Sequence, residues 1–417
     1  MNRRHFLSHL IATSTTVASA NYLTNSILAN QTTLKKNSKS AILLWMGGGP
    51  STIDLWDLKP GSATGGPFKP INTNVDGIQI CEHLPLLAKN MDKLSIVRSM
   101  STREADHNRG RYYMHTGYVP SPTVDYPSYG SVISHELINQ IPQLDIPPFV
   151  SVGGSSVGAG FLGMTYAPFV VDSNGNIRDL NMGIDPNRLN QRLQMLKSIE
   201  DQFISQNRGE VGNEHSKVLN KTVKLMTSPQ MEAFKVNKEK PEIKERYGNT
   251  GFGRGCLMAR RLVEMGVPFV EVDLGGWDNH ANIFPTLQNN KLPELDKAMS
   301  ALLEDLDQRG LLQNTSIVWM GEFGRTPNIN GTSGRDHWAR SWSVVVGGGG
   351  FKTGKIIGKT SNDGKEVITE PYTSEDLFAS VLKSLEISTE TTFTAKNGRP
   401  MKIANGGKII KELFSVS

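Results

Sequence analysis

Short apolar runs that stop at glycine or acidic residues recur along this chain, and stretches with helical periodicity separate them. That alternation leaves few architectures open. Ser40–Met46 (Ser-Ala-Ile-Leu-Leu-Trp-Met) is a continuous apolar run, the mark of a strand buried on both faces. Leu94–Ser99, Pro147–Val152, Val267–Asp273, Thr315–Met320 and Ser343–Val346 also read as strands. Helices are expected over Gly251–Met265, stopped by Gly266, and over Pro293–Arg309, where Leu295, Met299, Leu302, Leu303 and Leu306 share one side. Thr373-Ser-Glu-Asp376 is a capping-box start for a helix over Glu375–Leu385. Strand and helix in alternation imply an α/β fold: a doubly wound, mostly parallel central sheet with helices on both faces. The strands should lie in one sheet with their C-terminal ends on one face. Leu189, Leu193, Leu196 and Phe203, then Val218, Thr222, Leu225 and Met226, suggest two amphipathic helices. About 180–250 therefore reads as a helical insertion in a single domain over 40–417.

Composition removes some functions. The chain is 37% hydrophobic and 20% charged, as a folded globular protein is, and its net charge of +5 is spread without a Lys/Arg block. No nucleic-acid partner is expected. Cys81 and Cys256 form no zinc or redox motif. Residues 1–29 read as an export signal instead of fold: Arg3-Arg4 precede Phe6-Leu7, an Ala/Ser/Thr-rich stretch follows, and Ala18-Ser-Ala20 or Ala29 offers a cleavage site. The segment is too polar and too short in its apolar core to span a membrane stably. The expected partner is the twin-arginine translocase, and the expected destination is the periplasm or the medium.

Chemistry gathers just past the strand ends, where open α/β sheets keep their sites. Gly275-Gly-Trp-Asp-Asn-His280 delivers Asp278 and His280. The first strand runs into Gly47-Gly-Gly-Pro50, a loop suited to close backbone approach, with Asp54 and Asp57 beyond it. Asp106, His107, Arg109, Arg111 and His115 crowd the segment after the second strand. Glu322 follows Thr315–Met320, and Arg335-Asp336-His337 comes shortly after. His107, His280 and His337 each have an acid beside them or one residue away (Asp106, Asp278 and Asp336), as a co-ligand or as a group that orients the ring.

These segments carry a resemblance. Gly48–Pro60, Gly275–His280, Gly321-Glu-Phe-Gly-Arg-Thr-Pro327 and Gly334-Arg-Asp-His-Trp338 resemble the motifs of the DUF1501 family of exported bacterial proteins, within the alkaline phosphatase and sulfatase superfamily. The resemblance covers nearly all of 40–417. It implies the superfamily fold, with Glu322 at a metal-binding acid, His337 at the last metal histidine, and Asp278 and His280 on one metal. Glu271 is an alternative acid. Arg111 and Thr116-Gly117 fit the sulfatase frame, which puts His107 at the nucleophile position. Gly47 or Gly48 stands where the superfamily has its first-strand acid, so Asp54 or Asp57 would have to reach back. The expectation is a metal-dependent hydrolase of small sulfate or phosphate esters. Asp278, His280 and His337 would hold one ion, and Asp54, His107 and Glu322 a second. The imidazoles favour zinc, while calcium or magnesium would suit the carboxylates. His107 is a nucleophile or a ligand, and Arg111 would pair with the anionic substrate. The alternative is a non-catalytic binding or envelope-assembly protein on the same fold.

Overall fold

The computed structural model describes residues 38–414, except residue 142 and, within 178–227, all but residues 185, 188, 191–196, 198, 225 and 226. The expected export segment lies outside the described residues, as does nearly all of the first part of the expected helical insertion. Its later part carries a 3-10 helix, Pro229–Phe234, and a short α-helix, Pro241–Tyr247. Among the described residues no helix is long and apolar enough to cross a membrane.

Eight strands form the central sheet: β1 (Ser40–Trp45), β2 (Leu94–Met100), β3 (Phe149–Val152), β4 (Phe169–Val171), β5 (Phe269–Asp273), β6 (Thr315–Met320), β7 (Trp342–Gly348) and β8 (Lys355–Ile357). Their order is β8-β2-β7-β6-β1-β5-β3-β4. β1 pairs in parallel with β5 and β6, β3 with β4 and β5, and β2 with β8. The α/β expectation of a mostly parallel sheet holds.

Five longer helices flank it: α1 (His107–Thr116), α2 (Tyr129–Leu137), α3 (Gly251–Glu264), α4 (Leu292–Gln308) and α5 (Ser374–Ser384). All six residues of β1 are buried, and they alternate between two cores. Ile42 and Leu44 pack with Leu257 of α3 and Leu302 of α4, while Ala41 and Leu43 pack with Ile133 of α2 and Phe378 of α5. Two wet-free faces are why the run lacks polar alternation. Helix ends follow the sequence chemistry. The Thr373 and Asp376 side chains form the capping box of α5, and Gly266 (φ 94°) follows α3 in a backbone region that favours glycine.

One expectation fails. β7 runs antiparallel to both β2 and β6, so its C-terminal end lies at the edge opposite to those of its neighbours. The cause is the connection. Between β6 and β7 the chain forms no crossover helix, only a two-residue ribbon pairing Gly324–Arg325 with His337–Trp338. Without a crossover the chain stays at one edge and must return antiparallel. His337, just ahead of β7, is thereby kept at the edge where β1, β5 and β6 end.

Candidate metal centre

Three loops meet at that edge through backbone contacts only glycine permits. The Trp277 N–H donates to the Gly47 carbonyl at 3.1 Å. A Cβ on Gly48 (φ 111°) would sit 2.6 Å from the Asp278 nitrogen, and one on Gly49 (φ 71°) would sit 2.8 Å from the Phe323 ring. The Gly48 N–H donates to Glu322 Oε1 at 2.9 Å. The glycine run is thus a packing device that seats Asp278 and Glu322 side by side.

His107 opens α1, whose N-terminus Asp106 caps by accepting from the Arg109 N–H at 3.0 Å. Each of three imidazoles has its Nδ1 taken by an acceptor. His107 Nδ1 lies 2.6 Å from Glu322 Oε1, His280 Nδ1 2.6 Å from Asp336 Oδ1, and His337 Nδ1 2.7 Å from the Ala105 carbonyl. A carboxylate or carbonyl can only accept, so each neutral ring carries its proton on Nδ1 and presents a bare lone pair at Nε2. All three Nε2 atoms turn to Asp278. His280 Nε2 is 2.9 Å and His337 Nε2 3.2 Å from Oδ1, and His107 Nε2 is 3.2 Å from Oδ2. His280 Nε2 and His337 Nε2 are 3.2 Å apart.

With the rings neutral, these contacts set acceptor against acceptor, a conflict that either a proton on Nε2 or a divalent ion between the atoms relieves. The residues fit a divalent ion. Ligand atoms of His107, Asp278 and His337 lie within 4.8 Å of one another, and those of the expected trio Asp278, His280 and His337 within 3.2 Å. With bonds of about 2.0–2.1 Å, the edges of a tetrahedral zinc site are roughly 3.3–3.4 Å, close to the separations found. His107 Nε2 and Glu322 Oε2 are also buried without a hydrogen-bond partner; the 3.2 Å approach of His107 Nε2 to Asp278 is not aligned as a hydrogen bond. Acids that hold the far side of a ligand ring are a recurrent feature of metal sites. The sequence neighbours do not take these parts, however: Glu322, not Asp106, holds His107, and Asp336 holds His280, not the adjacent His337.

The protein is strongly charged here. Burial works to raise the Asp278 carboxyl, but the Arg325 hydrogen bond and charge, with His107 and His337, outweigh it and bring it down to about 2. The Glu322 hydrogen bond, against the opposing effect of burial, raises His107 above the ordinary imidazole value.

The structure gathers His107, Asp278, His280, Glu322 and His337. Other candidates are placed elsewhere. Asp54 is buried, and Arg335 holds both its oxygens, Nε to Oδ2 and Nη2 to Oδ1 at 2.8 Å each, with the Ser51 hydroxyl at 2.6 Å. A ligand role for Asp54 would break that pair, so the expected trio of Asp54, His107 and Glu322 does not assemble. Asp57 is engaged by Lys59 and Arg98 at 3.0 and 3.5 Å. Glu271 is buried against His115 at 3.2 Å and Ser156. Arg111 donates to the Ser155 carbonyl and lies 5.9 Å from the Trp45 ring centroid.

Sequence reasoning passed over Arg325 and Asp273. Arg325 has a fully buried side chain and donates to Asp278 Oδ1 at 2.6 Å. Its signal was its place in the Gly321–Pro327 motif at a strand end. Asp273 ends β5 two residues past Glu271, on the same face. Burial raises its carboxyl above the ordinary range despite the nearby charge of Arg111.

The family model described as protein of unknown function (DUF1501) matches residues 38–414. The chain belongs to the DUF1501 family. Comparison with curated proteins finds no match for this DUF1501 chain. Among solved structures it is similar to the PsFucS1 sulfatase from Pseudoalteromonas sp., at 13% identity and TM-score 0.42, covering 95% of this chain and 79% of that one. A protein in the alkaline phosphatase superfamily from Vibrio parahaemolyticus gives 12%, 0.37, and 91% and 71% coverage. Alkaline phosphatase from the Antarctic bacterium TAB5 gives 13%, 0.37, and 84% and 99%.

Proposed function

We propose that this DUF1501 protein is an exported, metal-dependent hydrolase of small anionic esters of phosphate or sulfate. The observation that carries the metal is the convergence of three imidazole Nε2 atoms on the Asp278 carboxylate. His107, Asp278 and His337 would hold the ion, with His280 beside them. Imidazole nitrogens favour zinc over calcium or magnesium. A bound divalent ion would polarise the ester oxygen and lower the pKa of water next to it. The chain's own residues orient. Glu322, Asp336 and Ala105 fix the rings from behind, and the glycine loop keeps Asp278 in place.

Water, not His107, is the nucleophile in this reading, because the His107 Nδ1 is tied to Glu322 and its Nε2 faces Asp278. The same observation favours a second reading, a binding protein without turnover. Metal analysis of the purified mature protein, followed by assay on aryl phosphates and aryl sulfates, separates the two. Hydrolysis that a chelator abolishes and added ion restores supports the enzyme. Bound ion without turnover of any ester supports the binding protein. His337→Ala should lose the ion together with the ion-dependent part of thermal stability, since a ligand at a thousand times its Kd stabilises by about 4 kcal/mol. Ion content unchanged in that variant would refute the ligand set.

A further inference from the structure

The cluster already contains a cation of its own. Arg325 sits on the ribbon that also carries His337, so one short hairpin supplies both. Its guanidinium is fully buried, and acceptors meet it on every side. Nε donates to the Gly49 carbonyl at 2.7 Å. Nη2 donates to the Gly48 carbonyl and to Asp278 Oδ1, the latter at 2.6 Å. Nη1 donates to the Arg335 carbonyl at 3.3 Å and faces His280 Nε2 at 3.5 Å. Three backbone carbonyls anchor this charge, so it cannot swing away to admit an ion.

The arrangement divides the ligand atoms. Asp278 Oδ1 is shared by Arg325, His280 and His337, whereas Oδ2 faces only His107. Either His107 or His280 completes a set of three ligand atoms with Asp278 and His337, and it is His107 that faces Oδ2, the oxygen Arg325 does not bond. His280 is the imidazole that Arg325 approaches. A second ion would need further ligands, and of those expected for it Asp54 is held by Arg335, which leaves Glu322 with one oxygen, Oε2, to offer.

We propose that Arg325 takes the part of a second metal ion, so that the protein binds one divalent ion per chain, on the His107–Asp278–His337 side, with His280 held by Arg325 and Asp336 instead of ligating. Arg325 is a positioning residue: it fixes Asp278 Oδ1 and leaves Oδ2 to the ion. Like charge on the adjoining side also excludes a second ion.

The proposal rests on the metal reading above, and one titration tells their failures apart. Cobalt(II) is added to the apo protein and followed by its ligand-field absorption and by equilibrium dialysis. One ion per chain is expected. Two ions per chain would overturn the role of Arg325 and leave the metal reading standing, whereas no binding would overturn both. Arg325→Gln should admit a second cobalt ion or tighten the first at least tenfold, while Arg325→Lys, which keeps the charge, should restore a single ion of near wild-type affinity. Weaker binding in Arg325→Gln with an unchanged count would make Arg325 a mere support and refute the charge argument. His280→Ala should keep one ion with the spectrum little altered, and loss of the ion there would place His280 among the ligands. If Arg325→Gln does not fold, the wild-type count and His280→Ala still decide.

Discussion

Asp54→Ala separates a structural acid from a metal ligand. The Arg335 side chain is fully buried and Asp54 nearly so, and two hydrogen bonds of 2.8 Å join them. Arg335 also donates to the Thr64 and Thr326 carbonyls at 3.1 Å, so its remaining N–H groups have partners whatever stands at position 54. Removing the carboxylate leaves a buried guanidinium without its counter-charge, which costs about 3–5 kcal/mol. Two charge-assisted hydrogen bonds at about 1.5–3 kcal/mol each give a similar figure. With an unfolding entropy of about 2.1 cal/mol/K per residue over roughly 380 residues, this becomes a fall in Tm of about 4–6 °C. The assay is calorimetry in chelator and in saturating metal, alongside metal analysis. The fall should be the same in both conditions, with ion content unchanged. An ion lost with the carboxylate, or a fall confined to the metal-loaded protein, would refute the structural assignment and return Asp54 to the ligand set.

Two further outcomes are expected. Asp296 lies on α4 and accepts from the Leu86 and Leu87 N–H groups at 3.0 and 2.7 Å, and burial pushes its carboxyl up to about 6 against an ordinary 3.8. A folded-state value above the unfolded one means that the folded protein holds the extra proton, so this contribution is present below about 3.8 and is lost as pH rises through about 6. Urea titrations from pH 4 to 7 should show Asp296→Asn with a flatter pH dependence over that window than the wild type, and parallel curves would contradict the assignment. For the export proposal, changing both Arg3 and Arg4 to Lys should leave full-length protein in the cytoplasm on fractionation, and normal export of that variant would remove the twin-arginine reading.

The strands could be read from sequence because burial on two faces leaves a continuous apolar run, as in Ser40–Trp45. Their direction could not. An antiparallel β7 has the same kind of apolar run as a parallel one, and only the missing helix between Met320 and Trp342 hinted at it. β8, Lys355–Ile357, is too short and too mixed to stand out. The site's imidazoles were legible by type and by their places after strands, but their partners were not. Asp106 lies next to His107 in sequence, yet it is spent on capping α1, while the acid that holds the ring comes from 215 residues away. Nor does sequence say which acid a buried arginine will claim. Arg335 claims both oxygens of Asp54, whereas Arg325 claims only Oδ1 of Asp278 and leaves Oδ2 facing His107.

The centre depends on the one place where the alternation of strand and helix breaks. Had a helix linked β6 to β7, the residues after β6 would have left the edge, and the turn before β7 would have arrived at the opposite one. Without it, Glu322, Arg325 and His337 all remain beside the ends of β1 and β5, and the backbone pairing of Arg325 with His337 fixes the spacing of these two residues. Gly334 completes the contact: a Cβ there would lie 2.1 Å from the His280 carbonyl carbon, so the β6–β7 connection can press against the loop that follows β5. His280 and Asp336 then meet at 2.6 Å across two loops. A turn that is irregular by the rules of the fold is therefore what brings a carboxylate, a guanidinium and three imidazoles to one point.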